Sequence, residues 1–189
     1  MIEQTAPPIV KPVAGQKMTV AEVSRLPKGG YKYELIGGEL RTTPAGLQHE
    51  EIGMNLTREL LRYLGEHPSG RLYGSSAGFQ LSSGDLLSPD LSLVRLDRLP
   101  GGESPQGYAN FAPDLAVEIV SPNDRLIDIE EKVQLCLSNG TRLVWVINPR
   151  QRSATIYHPD RTARLLRTDD VLDGEDVLPG FTCRLTDIL

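Results

Sequence analysis

The stretch PDLAVEIVSPNDRLIDIEEK, residues 113–132, decides the fold because it predicts a short buried strand followed by a helix. Apolar residues flank Glu118 in the strand half, and Lys132 lies on the apolar side of the helix half. A carboxylate is costly to bury unless it is paired, protonated or bound to a metal ion. We therefore interpret Glu118 as a functional residue.

The alternation of side chains along this strand predicts where Glu118 points. Leu115, Val117 and Ile119 are expected to face the core, which leaves Glu118 on the opposite face near the end of the strand. Open α/β sheets place their ligand crevice where a strand leads into a helix. Helical spacing allows Lys132 to project towards Glu118, and the alternative is a lysine that only extends its charge into solvent.

The order of the remaining elements predicts one mixed α/β domain over residues 18–189, preceded by a flexible arm at residues 1–17. The predicted elements are a hairpin (31–43), a helix (47–65), strand segments (71–73, 78–81 and 91–96), a strand–helix–strand crossover (114–148) and a final hairpin (154–167).

Composition narrows the class of protein. The chain has 189 residues, which suits one domain, and it contains no apolar run long enough to span a bilayer. Its beginning lacks the apolar core of a signal peptide, so we expect a cytoplasmic protein without a membrane partner. Cys136 and Cys183 have no paired spacing, which argues against a cysteine zinc site.

The charge distribution leaves two interpretations open. The net charge of −5 counts mildly against tight binding of nucleic acid, because DNA-binding modules are usually basic. Residues 141–168, however, carry six arginines and a single acid, Asp160. This segment is either a basic binding face or a solvated, charged hairpin.

A second carboxylate, Asp90, opens a predicted strand in SPDLSLV (88–94). Turn chemistry alone can explain an aspartate there. Two carboxylates at the ends of neighbouring strands, however, form a hard oxygen site that suits Mg²⁺ or Mn²⁺. A nearby lysine can orient a water molecule or offset charge on phosphorus, so Asp90, Glu118 and Lys132 predict a site for phosphodiester hydrolysis.

Several motifs occur in an order that resembles a known family. They are YELIGGEL (33–40), His49 at a helix start, SPDLSLV (88–94), PDLAVEIVSP (113–122), Lys132 and VWVINP (144–149). Together they resemble the Uma-type restriction endonuclease family of the PD-(D/E)XK nuclease superfamily, over about residues 18–167. The resemblance implies a restriction-endonuclease-like core of helix, three-strand meander, helix and strand, with N-terminal and C-terminal hairpins.

The resemblance also implies roles for individual residues. Asp90 corresponds to the aspartate of the first motif and Glu118 to the acid of the second. The usual lysine position is Val120 here, so the resemblance implies that Lys132 replaces it from the next helix. The backbone carbonyl of Ile119 is implied as a further metal ligand.

Two polar positions of the family are also present. Glu39 in the hairpin could add a ligand to the catalytic site from a neighbouring element, and His49 could contact phosphate or act as a base. The alternatives are a surface acid in a hairpin and a polar residue at a helix start. Gly37 and Cys136 depart from the family pattern, which often has aspartate and tyrosine there, but neither is a proposed ligand.

These observations predict an Mg²⁺- or Mn²⁺-dependent DNA endonuclease. We expect a homodimer, because cutting two strands usually needs two sites. One alternative is a catalytically inactive module of the same fold that binds nucleic acid or another partner. Another is a metal-dependent hydrolase of a small phosphoester.

Overall fold

A computed structural model of the protein describes residues 14–26, 32–42 and 46–189. Its helices are α1 (Val20–Val23), α2 (Leu47–Glu66) and α3 (Leu126–Ser138). Its strands are β1 (Tyr33–Ile36), β2 (Glu39–Thr42), β3 (Gly70–Gly74), β4 (Phe79–Gln80), β5 (Leu86–Leu87), β6 (Leu91–Arg95), β7 (Leu115–Ile119), β8 (Leu143–Asn148), β9 (Ser153–Tyr157), β10 (Ala163–Leu166), β11 (Val171–Asp173) and β12 (Thr182–Arg184).

The main sheet has six strands in the order β10-β9-β8-β7-β6-β3. After α2, strands β3, β6 and β7 form an antiparallel meander. Helix α3 then crosses over to β8, which pairs in parallel with β7. The predicted order of helix, three-strand meander, helix and strand is confirmed, and the pair β9–β10 confirms the final hairpin.

A second sheet has the order β2-β1-β5-β4. The strand predicted at 78–81 belongs to this sheet and not to the meander, because β4 pairs with β5 and β5 pairs with β1. Phe79 and Leu86 are buried in the packing of this sheet. Tyr31 and Thr43, the ends of the predicted first hairpin, lie outside the described residues.

The structure describes only the last residues of the predicted N-terminal arm. Residues 1–13 of the predicted arm lie outside the described ranges. Gly15 donates its amide to the Leu40 carbonyl at 2.8 Å, and Lys17 forms a β-bridge with Glu39. The segment around Gly15 and Lys17 is therefore paired with β2.

Strand β7 is buried on both faces, as its alternation predicts. Leu115, Val117 and Ile119 pack into the core that contains the buried residues of α2, and Trp145 joins them. Ala116 lies on the other face with the buried residues of α3, namely Ile129, Val133 and Cys136. Glu118 shares that second face, so α3 is the helix that covers it.

Helix α3 ends at a glycine and begins without a side-chain cap. Gly140 follows its last turn with a φ of +101°, a conformation that glycine adopts without strain. Arg125 occupies the N-cap position, and no side chain caps the helix. The Asp124 carboxylate instead accepts the Ser121 amide at 2.7 Å, which closes a turn before the helix.

The arginines near the C-terminus are partly neutralised by the acids that follow them. Arg142 pairs with Asp176, and Arg164 pairs with Asp173 at 2.5 Å and with Glu175 at 3.4 Å. These pairs neutralise two of the six arginines of the segment. No helix in the described ranges combines the length and apolar character needed to cross a bilayer.

Candidate active site

Asp90 lies at the start of β6 and contacts residues from three other parts of the chain. Its Oδ1 accepts a hydrogen bond from Lys32 Nζ at 2.7 Å, and its Oδ2 lies 3.0 Å from His49 Nε2. The Ile119 amide also donates to Oδ2, at 2.8 Å. The carboxylate is therefore fixed beside the end of β7, where the carbonyl of Ile119 was expected to bind metal.

These partners keep Asp90 ionised. Burial opposes the charge, but the hydrogen bond from His49 and the positive charge of Lys32 outweigh it and hold the pKa of Asp90 well below its usual range. The same hydrogen bond, against a smaller cost of burial, raises the pKa of His49 above its ordinary value. An ionised aspartate therefore lies beside a histidine whose pKa it raises.

Glu118, in β7, is buried and has one oxygen engaged. Its Oε2 accepts a hydrogen bond from Lys132 Nζ at 3.0 Å. Its Oε1 is buried and has no hydrogen-bond partner among the described residues. Burial raises the pKa of Glu118 to about 7, although the charges of Lys132 and Lys32 act in the opposite direction.

Lys132 reaches the site from α3 and bridges two carboxylates. Its Nζ lies 2.6 Å from Glu34 Oε2, in addition to the contact with Glu118. Glu34 is buried in β1, and its Oε1 accepts the Ser88 amide at 3.1 Å. Burial alone would lower the pKa of Lys132, but the charges of Glu118 and Glu34 outweigh it and raise the pKa, so the amine stays charged.

The structure brings four of the five predicted catalytic residues together, namely Asp90, Glu118, Lys132 and His49. The fifth, Glu39, lies near the hairpin turn with a side chain that is about half exposed. It pairs with Lys17 at 3.2 Å, so the hairpin acid that joins the cluster is Glu34, and Glu39 is not part of it.

Two residues of the cluster were not predicted from the sequence. Glu34 has the same signal as Glu118, a carboxylate between apolar residues in a strand whose four positions are all buried. Lys32 precedes that strand and has no such signal. Burial lowers the pKa of Lys32, but the charges of Glu118, Glu34 and Asp90 outweigh it, so the net effect is to raise it.

A cleft of about 270 Å³ between α2 and the strands β3 and β6 connects the Asp90 and His49 end of the cluster with solvent, whereas Glu118 and Lys132 do not line it. His49, Asp90 and Ile119 form one end of the cleft, and the side chains of Leu72 and Tyr73 line its β3 wall. A phosphate group in this cleft could therefore reach both the Asp90 carboxylate and the His49 ring.

The chemistry of the donors fits a hard divalent cation. Glu118 Oε1 is a buried acceptor without a hydrogen-bond donor, and the ionised Asp90 carboxylate lies at the end of the neighbouring strand. Within the described ranges, no group of three or more His, Cys, Asp or Glu side chains is arranged to hold a metal ion. Mg²⁺ requires only one or two protein carboxylates, because water and substrate oxygens complete its coordination.

Comparison with solved structures supports the fold. The crystal structure of a protein from Anabaena variabilis ATCC 29413, described as a "putative nuclease belonging to DUF820", superimposes with a TM-score of 0.80. The two sequences are 20% identical, and the match covers 90% of this chain and 97% of that chain. No curated protein matches the sequence.

Comparison with family profiles covers most of the chain. The profile of the Uma2 family, described as "Putative restriction endonuclease", matches residues 20–186. The matched range includes all six residues of the cluster. Membership supports nuclease chemistry as the general class of function, and the chain belongs to the Uma2 family.

Proposed function

We propose that this protein is a metal-dependent endonuclease that hydrolyses phosphodiester bonds in DNA. The observation that carries the proposal is the meeting of Asp90, Glu118 and Lys132, which come from three separate elements. Lys132 reaches the cluster from α3, although Val120 occupies the position in the sequence that usually carries this lysine. Family membership independently supports the nuclease class.

Asp90, Glu118 and the carbonyl of Ile119 are the groups that would hold Mg²⁺ or Mn²⁺. When bound, such an ion polarises the scissile phosphate and lowers the pKa of an attacking water molecule. The partner-free Oε1 of Glu118 supports this assignment, because a buried carboxylate oxygen without a donor is otherwise unfavourable.

Lys132 acts as a charged hydrogen-bond donor and not as a base, because the two carboxylates beside it stabilise the ammonium form. It donates to the attacking water or to a phosphate oxygen, where negative charge increases in the transition state. Glu34 holds the ammonium group in place from the opposite side and is therefore a positioning residue.

His49 and Lys32 keep the Asp90 carboxylate ionised and oriented. His49 also lines the cleft, so it can donate a hydrogen bond to the DNA phosphate that enters. The positive charge of Lys32 beside Asp90 locally offsets the acidic net charge of the protein.

Cleavage of supercoiled plasmid DNA with Mg²⁺ or Mn²⁺ tests the proposal. We expect the wild type to cut and EDTA to abolish cutting. Glu118→Gln and Lys132→Met should each reduce the rate at least about 100-fold. Glu39→Gln is the matched control, because this hairpin acid lies outside the cluster, and it should cut at the wild-type rate. Cleavage that survives both substitutions in the cluster would contradict the assignment.

A nuclease-fold module that binds nucleic acid without cutting it is the second candidate. The ion pairs of Asp90 favour it, because Lys32 and His49 already engage both oxygens of that carboxylate. This candidate predicts salt-sensitive DNA binding by the wild type without cleavage under any divalent ion.

A further inference from the structure

The outer surface of α2 carries an apolar stripe that the described chain leaves exposed. Leu47, Met54 and Leu61 expose 92%, 66% and 55% of their surface. They recur every seven residues, which is nearly two helical turns. Large apolar side chains in a row on a soluble helix indicate a surface that another protein covers.

The stripe lies opposite the side of α2 that packs on the sheet. At about 100° per residue, Met54 points away from Ile52 and Leu56, both of which are buried in the core. A repeat of seven drifts by only about 20° per step, so the stripe stays on one side of the helix. Only one position in seven is apolar here, so the stripe is narrower than the two-position seam of a coiled coil and forms a single row of three side chains.

We propose that α2 packs antiparallel against α2 of a second copy of the chain, with the twofold axis beside Met54. In that arrangement, residues at equal distances before and after Met54 lie at the same level. Leu47 of each copy then packs on Leu61 of the other, and the two Met54 side chains meet at the axis. The apolar residues of the stripe are thus self-complementary.

The charges that flank the stripe select the antiparallel direction. Arg58 lies four residues after Met54, whereas Glu50 and Glu51 lie four and three residues before it. An antiparallel pair therefore places Arg58 of one copy level with Glu50 and Glu51 of the other. A parallel pair would place Arg58 beside Arg58 and Glu50 beside Glu50, which is repulsive. Arg58 is exposed, and its contacts within the chain, to Glu59 and Asn55, are 3.3–3.4 Å long.

The proposed axis would also align the two candidate active sites. A twofold axis perpendicular to α2 keeps corresponding flanks of the two helices on the same side. Glu50, Gly53 and Thr57 line the cleft from α2, together with Met54 and Leu61 of the stripe, so each cleft would border the interface and both would open on one face of the dimer. The two His49 residues would lie about 15 Å apart along the helix direction. This alignment gives the pairing a role only if the proposed nuclease function holds, whereas the pairing itself does not depend on that function.

Sedimentation equilibrium of the full chain tests the pairing. We expect a dimer for the wild type and at least about 100-fold weaker association for Met54→Glu, because two carboxylates would then meet at the axis. Leu126→Gln is the control, since Leu126 is a similarly exposed apolar residue on α3, and it should leave association unchanged.

Charge reversal tests which residues meet. Arg58→Glu should weaken association at least about tenfold, and adding Glu51→Arg in the same chain should restore most of it. Failure of the second change to restore association would overturn the proposed register. Circular dichroism of each variant checks that the fold is retained.

Oxidative cross-linking tests the direction. Met54→Cys should form a covalent dimer, and so should a chain that carries both Leu47→Cys and Leu61→Cys. Leu47→Cys alone should not, because two such residues would lie about 21 Å apart along the helix. Self-cross-linking of Leu47→Cys alone, or a wild type that stays monomeric at 100 µM, would overturn the proposal. These assays measure assembly and not cleavage, so their outcome is separate from that of the proposed function.

Discussion

Lys132 Nζ lies 2.6 Å from Glu34 Oε2 and 3.0 Å from Glu118 Oε2, so one ammonium group joins two different sheets. Glu34 belongs to the four-stranded sheet and Glu118 to the six-stranded sheet. The lysine is supplied by the helix that covers β7 and not by β7 itself. Its position therefore depends on how the smaller sheet docks as well as on α3.

Removal of the Lys132 charge should destabilise the fold. Lys132→Met leaves Glu34 and Glu118 buried without their shared cation, which we expect to lower the free energy of unfolding by about 3 kcal/mol at neutral pH. Chemical denaturation measures the change. Lys17→Met is the matched control, because it removes a lysine from the exposed pair with Glu39 and should cost less than about 1 kcal/mol. Equal losses in the two variants would contradict the structural role of Lys132.

Glu34→Gln should separate catalysis from metal binding. The amide keeps an acceptor for the Ser88 amide, but it removes one of the two negative charges that position Lys132. We expect kcat to fall at least about tenfold, whereas the metal concentration needed for half-maximal rate should change less than about threefold. An unchanged kcat would show that Glu118 alone positions the lysine.

Divalent ions should stabilise the wild type against unfolding. A ligand that binds only the folded state at 100 times its Kd adds about 2.7 kcal/mol, which a melting curve with Mn²⁺ would detect as a rise in Tm. EDTA should reverse the rise, and Asp90→Asn and Glu118→Gln should each remove most of it. Glu39→Gln should keep it. The same rise in all of the variants would place the ion elsewhere in the protein.

The pair of His158 and Glu175 should make stability depend on pH. His158 Nε2 lies 2.9 Å from Glu175 Oε2. Burial opposes the positive charge, but the hydrogen bond and charge of Glu175 outweigh it and raise the pKa of His158. Because the folded pKa is the higher one, the pair stabilises the protein below the unfolded pKa of about 6.5 and loses this effect as pH rises through the folded pKa.

Unfolding free energies at pH 5.5 and 8.5 measure this dependence. His158→Gln should destabilise more at pH 5.5 than at pH 8.5, by about 0.5 kcal/mol, because the pair is partly exposed. His67→Gln is the control, since that imidazole contacts the carbonyl and ring of Tyr63 instead of a carboxylate. A difference of the opposite sign would refute the assigned pair.

The sequence predicts the central crossover well because its patterns are local. The alternation in β7 correctly places Val117 and Glu118 on opposite faces of the strand. The helical spacing in α3 correctly directs Lys132 towards the Glu118 carboxylate. A helix of twenty residues such as α2 repeats its pattern often enough to be recognised. The order of the core elements follows from these segments.

The parts that the sequence did not predict depend on contacts between distant segments. Strands β4 and β5 have two residues each, so they carry no alternation that could assign them to the smaller sheet. Glu34 joins the cluster only because that sheet docks β1 against α3, whereas Glu39 points to solvent from the same hairpin. A sequence motif with several acids in one hairpin does not show which of them reaches the cluster, because that depends on how the smaller sheet docks.

The contact between Glu34 and Lys132 also sets an order of events during synthesis of the protein. About half of the chain separates the two residues, so a ribosome releases Glu34 long before Lys132. Contacts between distant segments form after local ones, because closing the intervening loop costs entropy. We therefore expect the contact between Glu34 and Lys132 to be absent from unfinished chains and to form only when α3 has been made and docked.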